Sequence, residues 1–211
     1  HRETVMRALK SAFRMPTPVK ITGRTSTITN SFVNSIIPVV HPTEAEVEQA
    51  LFMLDMALDT VACAYCGDPS TEWDHLNPLV KQKKPTGYIS EIANLVPACG
   101  KCNQSKGNKT WRDWMVSGAR LSPKSRGVVD LENRISLLDR YEQHYHPQQH
   151  NFEEIVGSEK WLEYWEDWDR VLRVMREAQQ LADTLRSSIN SAAVSSKNES
   201  QNMAKDNSFD G

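Results

Sequence analysis

Residues 63–109, CAYCGDPSTEWDHLNPLVKQKKPTGYISEIANLVPACGKCNQSKGNK, decide the reading of this chain. All four cysteines of the sequence lie here, as two C-x-x-C pairs, Cys63/Cys66 and Cys99/Cys102. Two such pairs in one short region make the ligand set of a tetrahedral structural zinc. A disulfide framework explains them poorly, because the opening HRETVMRALKSAFRM has no apolar core and does not read as a secretion signal. A redox C-x-x-C fits badly too, since there are two pairs and neither opens a thioredoxin-like helix. Residues 67–98 between the pairs exceed the usual knuckle spacing, so an inserted unit is expected there.

That insert has a definite grammar. EWDHLNPLV carries Asp74, His75, Asn77 and Pro78, and reads as a strand that runs into a loop. NLVP enters a second strand at Asn94, and a helix opens at the second C-x-x-C, bearing Asn103 and Lys106. The result is a ββα unit tied at its ends by zinc. Successive side chains on a strand point to opposite faces, so Asp74 and His75 do not sit side by side unless the strand ends or bulges there. The residue types suit phosphodiester hydrolysis. A neutral imidazole, with a reference pKa near ~6.5, can take a proton from water. A carboxylate and an amide oxygen are hard ligands of the kind Mg²⁺ accepts while keeping its waters.

Four cysteines, DH, NLVPxC and CNxxKG in this order resemble the HNH nuclease family in its zinc-stapled form. The closest variant is the one whose last motif residue is Asn rather than His. The resemblance covers residues 63–109. It implies that His75 is the general base and that Asp74 and Asn103 hold one catalytic divalent ion. It implies that Asn94 braces the loop and orients the histidine through backbone hydrogen bonds. Lys106, one turn beyond Asn103, and Lys109 are expected to reach substrate phosphate. Departure from the three-histidine forms favours Mg²⁺ or Mn²⁺ over a softer ion. The implied cofactors are structural Zn²⁺ on Cys63, Cys66, Cys99 and Cys102, and catalytic Mg²⁺ or Mn²⁺.

The flanks read mainly as scaffold. Ile28, Phe32, Val33, Ile36 and Ile37 have helical spacing up to Pro38. Thr43, with Glu46 three residues on, forms a capping box for a second helix bearing Val47, Leu51, Leu54 and Leu58 on one face. Trp111, Trp114 and Met115 read as core, SPKSRG as a polar basic loop, and Leu131 to Tyr145 as a helix. From Ser158 to Ile189 a heptad seam runs through Trp161, Tyr164, Trp168, Val171, Met175, Ala178, Ala182, Leu185 and Ile189. It suggests a long helix that docks a second copy or a partner protein. The fold class expected is α+β and predominantly helical, a small ββα-metal core with flanking helices and a long C-terminal helix. Its divisions are 1–60 (basic and helical), 61–118 (nuclease core), 119–147 (helical extension), 148–190 (long helix) and 191–211 (disordered tail).

Charge narrows the partners. The formal net charge is only −2, yet the charges segregate. From Asp74 to Arg126 lysines and arginines far outnumber Asp74, Glu91 and Asp113, and residues 1–30 are also basic. A basic face fits a nucleic-acid backbone. No apolar run approaches the ~20 residues of a membrane span, so a cytoplasmic protein is expected. The function expected is DNA cleavage, on double-stranded substrate, in restriction or phage defence. The alternatives are a non-catalytic zinc module that binds nucleic acid or protein, and an RNA nuclease. The sequence shows no aromatic platform for single-stranded RNA.

Overall fold

The computed structural model describes residues 16–206. Residues 28–163 form one compact unit; residues 16–27 and 164–206 belong to a second. The basic residues Arg2, Arg7, Lys10 and Arg14 lie outside the described residues.

In the first unit, helix α1 (Thr25–Ser35) enters from the preceding segment and buries Thr29 and Val33. Helix α2 (Glu44–Met53) starts at a complete capping box: the Thr43 side chain accepts from the Glu46 amide, and the Glu46 carboxylate accepts from the Thr43 amide at 2.7 Å. Strand β1 (Glu72–His75) is followed by a small hairpin, β2 (Val80–Lys81) and β3 (Lys84–Pro85). The two residues of its turn, Gln82 and Lys83, both have positive φ, which matches the right-handed twist of a tight hairpin. A 3₁₀ turn at Ile92–Asn94 leads into strand β4 (Leu95–Ala98). β1 and β4 pair antiparallel, with Asp74 opposite Val96 and His75 opposite Leu95.

Helix α3 (Gly100–Lys106) follows at once, with Cys99 as its N-cap. β1, β4 and α3 are the expected ββα unit. A short α4 (Trp111–Met115) then turns three large side chains inward. Trp111 and Trp114 are almost completely buried, and their indole N–H groups donate to Glu142 at 3.2 Å and to Ser105 at 3.0 Å. Tyr65 meets Trp114 edge to face at 5.3 Å. Such pairs add to the area they bury. Helix α5 (Leu131–Tyr145) closes the core through Ile135, Leu138 and Tyr141. The following loop is sewn back onto the insert: His150 N–H donates to Gly87 O at 2.9 Å, and Gln149 to Thr86 O at 2.7 Å. Gly87 has φ +96 and a side chain there would overlap the His150 carbonyl, so the seam needs glycine.

Helix α6 (Phe152–Val156) precedes α7 (Ser158–Asp206). Within the second unit, the Ile21 amide donates to Gln179 Oε1 at 2.6 Å. The inward stripe of α7 is Trp165, Trp168, Leu172, Met175 and Gln179, spaced three and four apart. Val171, Leu185 and Ile189, assigned to the seam from sequence, are exposed. Apolar residues occupy two adjacent stripes of this helix, and spacing alone does not choose between them. The helix also runs beyond 190, where a disordered tail was expected. No Pro or Gly interrupts residues 191–206, and Ala, Lys, Glu, Gln and Met there favour helix. The rest of that tail, 207–211, lies outside the described residues. No helix among the described residues is long and apolar enough to cross a membrane.

Candidate active site and zinc centre

The first C-x-x-C forms a tight turn. Gly67 N–H donates to Cys63 O and Cys63 N–H to Asp68 O, both at 2.8 Å, and Gly67 takes φ +79. The second pair spans the start of α3. The four Sγ atoms lie within 4.8 Å of one another, all as free thiols, with Cys66 and Cys99 3.7 Å apart. A tetrahedron with Zn–S bonds of ~2.3 Å has sulfurs about 3.8 Å apart, so the cluster fits zinc. The electrostatics agree. Cys66 is held well below the ordinary thiol range by hydrogen bonds from Cys102 and Cys63. Cys102 is pushed far above it, by its bonds to Cys63 and Cys66 and then by burial. A cation among the four sulfurs would offset the repulsion between thiolates. Arg126 adds a positive group, its guanidinium 3.4 Å from Cys102 Sγ and 2.5 Å from Asp68. No local pattern marks this role, since Arg126 lies in the polar basic loop SPKSRG, far in sequence from both partners.

Asp74 is 6% exposed, at the inner face of β1. Its Oδ2 accepts from Tyr65 OH at 2.8 Å and lies 3.1 Å from Lys106 Nζ. Oδ1 has no hydrogen-bond partner among the described residues and remains available to a cation. Burial raises the Asp74 pKa, and Lys106 and Tyr65 oppose that rise.

Lys106 differs from its expected role. It is fully buried, and its ammonium donates to His75 O at 2.6 Å besides pairing with Asp74. A lysine in that position does not extend to a phosphate. The reason lies in helical geometry: Lys106 is one turn beyond Cys102, on the same buried face of α3. That spacing was the available signal. Lys109 is exposed and donates to Ser105 O at 2.8 Å, closing the end of α3 rather than lining the site.

β1 ends at His75, so the strand alternation does not separate His75 from the loop that follows. His75 Nε2 is 2.8 Å from Ser90 Oγ. Burial, with Lys106 nearby, lowers its pKa to about 4, so the ring is neutral around pH 7. Asn94 is fully buried. Its Oδ1 accepts from Asn77 N–H at 2.8 Å, and its Nδ2 donates to Asn77 O at 3.1 Å. It therefore holds the loop just after His75 and does not itself touch the ring. Behind the loop, Glu142 accepts from Asn77 Nδ2 at 2.8 Å, and Tyr141 OH donates to Ile92 O and Leu95 O. Ser90, Tyr65, Tyr141 and Glu142 occupy no defining position of a motif, Tyr65 being a variable position of the first C-x-x-C, so the sequence does not mark them.

Asp74, His75 and Asn103 line one open cleft of about 350 Å³, together with Ser90 and Asn108. A carboxylate oxygen and an amide oxygen on its wall are a donor set that fits a hard divalent cation.

The HNH endonuclease family model matches residues 63–109. A 56-residue stretch is 45% identical to a "CRISPR-associated endonuclease Cas9" of Corynebacterium diphtheriae, covering 25% of this chain and 5% of that protein. The chain thus spans only a small part of that relative's length. No solved structure matches the chain. With the ββα unit, its four-cysteine cluster and its cleft in place, residues 63–109 belong to the HNH endonuclease family.

Proposed function

We propose that this chain is a metal-dependent DNA endonuclease that hydrolyses phosphodiester bonds. The observation that carries the reading is the convergence of Asp74, His75 and Asn103 on one cleft beside the cysteine cluster. Asp74, through Oδ1, and Asn103, through its carboxamide oxygen, would hold one Mg²⁺ or Mn²⁺. Such a cation acts as a Lewis acid on a phosphate oxygen. His75, neutral at the working pH, takes the proton from the attacking water. Ser90 holds one ring nitrogen, which leaves Nδ1 for that water. Asn94 and Glu142 fix the loop, so the base does not drift. Lysines and arginines over residues 81–126 supply attraction for the backbone. The favoured substrate is double-stranded DNA. Restriction or phage defence is the favoured setting, and similarity to a CRISPR-associated endonuclease supports it.

The test is plasmid nicking with Mg²⁺, Mn²⁺ or EDTA, comparing wild type with His75→Ala. Metal-dependent cutting that disappears in the variant is expected. A zinc-loaded, folded wild type that leaves supercoiled, relaxed and linear DNA intact under every metal condition would overturn the reading.

A further inference from the structure

The cleft has a second wall, built by a part of the chain outside the nuclease segment. Asn30 and Asn34 of α1 line it, facing the wall that carries Asp74, His75 and Asn103. They stand one helical turn apart, so both lie on one face. Both are exposed, and neither carboxamide has a hydrogen-bond partner among the described residues. The wall is fixed in place. Val33 and Ile37 are buried, and the chain after the helix pairs with Ser90 as a parallel bridge at Val39. Val40 N–H donates to Ser90 O at 2.8 Å, and Ser90 N–H donates to Pro38 O at 3.1 Å. The same Ser90 contacts the His75 ring, so this wall and the catalytic histidine share one anchor.

The chemistry of α1 is unusual for this chain. Charged residues make up 25% of the sequence, yet TSTITNSFVNS carries none. A carboxylate here would repel an entering phosphate, and an ammonium would repel a catalytic cation. A neutral carboxamide does neither, and it offers a donor and an acceptor together. That pairing matches the edge of a base, as in the bidentate contact of Asn with adenine.

Resting on the nuclease reading, we propose that Asn30 and Asn34 are the base-reading residues of the site. They contact the nucleotide beside the cleaved phosphate and bias where the strand is cut.

The experiment compares wild type with Asn30→Ala/Asn34→Ala on a DNA duplex library randomised at its centre. Cut positions are read by sequencing, and thermal melting and zinc content are checked for both proteins. Binding of the same duplexes is measured by fluorescence anisotropy in EDTA at low concentration for a time too short to strip the zinc. The expected result is a folded, zinc-loaded variant whose cut-site preference falls roughly 10-fold per lost contact, with weaker binding. A second variant, Asn30→Gln/Asn34→Gln, keeps the amides but displaces them, and should change the preferred sequence rather than abolish it. An unchanged cut-site profile and unchanged Kd in the alanine variant would overturn the proposal. If wild type binds but does not cut, the nuclease reading fails on its own. The binding arm then still decides the role of the two asparagines: equal Kd values overturn it.

Discussion

Replacing Lys106 with Met separates two roles for this residue. The substitution keeps most of the buried stem and removes only the ammonium. In the wild type that ammonium lies 3.1 Å from Asp74 Oδ2 and 2.6 Å from His75 O, with Lys106 fully buried. Its loss leaves Asp74 in a buried site with Tyr65 as its remaining donor. Breaking a buried pair by removing one partner costs about 3–5 kcal/mol, because the other charge stays desolvated. For a chain of this size that lowers Tm by roughly 6–20 °C. The double variant Lys106→Met/Asp74→Asn should recover much of the loss, since no charge is then stranded. A double-mutant cycle read by thermal or urea unfolding of the zinc-loaded protein measures the coupling. A phosphate-gripping lysine predicts the reverse pattern: an unchanged Tm and a raised KM for DNA. A Lys106→Met variant that melts with the wild type, or a double variant no more stable than the single, would refute the buried-brace argument.

Three further perturbations follow from the same geometry. Cys99→Ser should reduce bound zinc, measured by elemental analysis, and abolish the folded centre by circular dichroism, because structural zinc contributes about 10–16 kcal/mol in small zinc peptides. Asn94→Ala should destabilise by roughly 1–3 kcal/mol for each backbone group of Asn77 left unsatisfied, measured by urea unfolding. Arg126→Met should weaken zinc retention about 10- to 100-fold in a chelator competition, because the guanidinium that faces Cys102 and Asp68 is lost.

What could be read from the sequence was what acts over short range. The Thr43–Glu46 capping box, the two C-x-x-C turns and the helix opening at Cys99 are fixed by residues three or four apart. The supports of the site were illegible because they join distant positions. Asn77 meets Glu142, Asp68 meets Arg126, and Tyr141 reaches back to Ile92. No local pattern announces such partners. Lys106 is an intermediate case. Its position on a helix was legible, but its direction depended on recognising that Cys102 already fixed the inward face.

That dependence has a consequence for how so small a unit holds a catalytic geometry. A two-stranded sheet and a seven-residue helix bury little and have slight stability of their own. Yet both partners of Asp74 come from the cysteine frame. Tyr65 lies between Cys63 and Cys66 in the first turn, and Lys106 lies one turn beyond Cys102 on α3. Ligation of a zinc ion by Cys99 and Cys102 would set the rotation of α3 about its axis. That rotation places Lys106 under Asp74 and, on the neighbouring face, Asn103 in the cleft. A zinc ion held there would do more than stop the chain from unfolding: it would set the angle at which Asp74 and Asn103, the proposed cation ligands, face each other. Partial loss of zinc should accordingly loosen the cleft and weaken the tryptophan core with it, because Trp111 and Trp114 share one core with Cys63, Cys99 and Cys102, and Trp114 packs on Tyr65 and donates to Ser105 of α3.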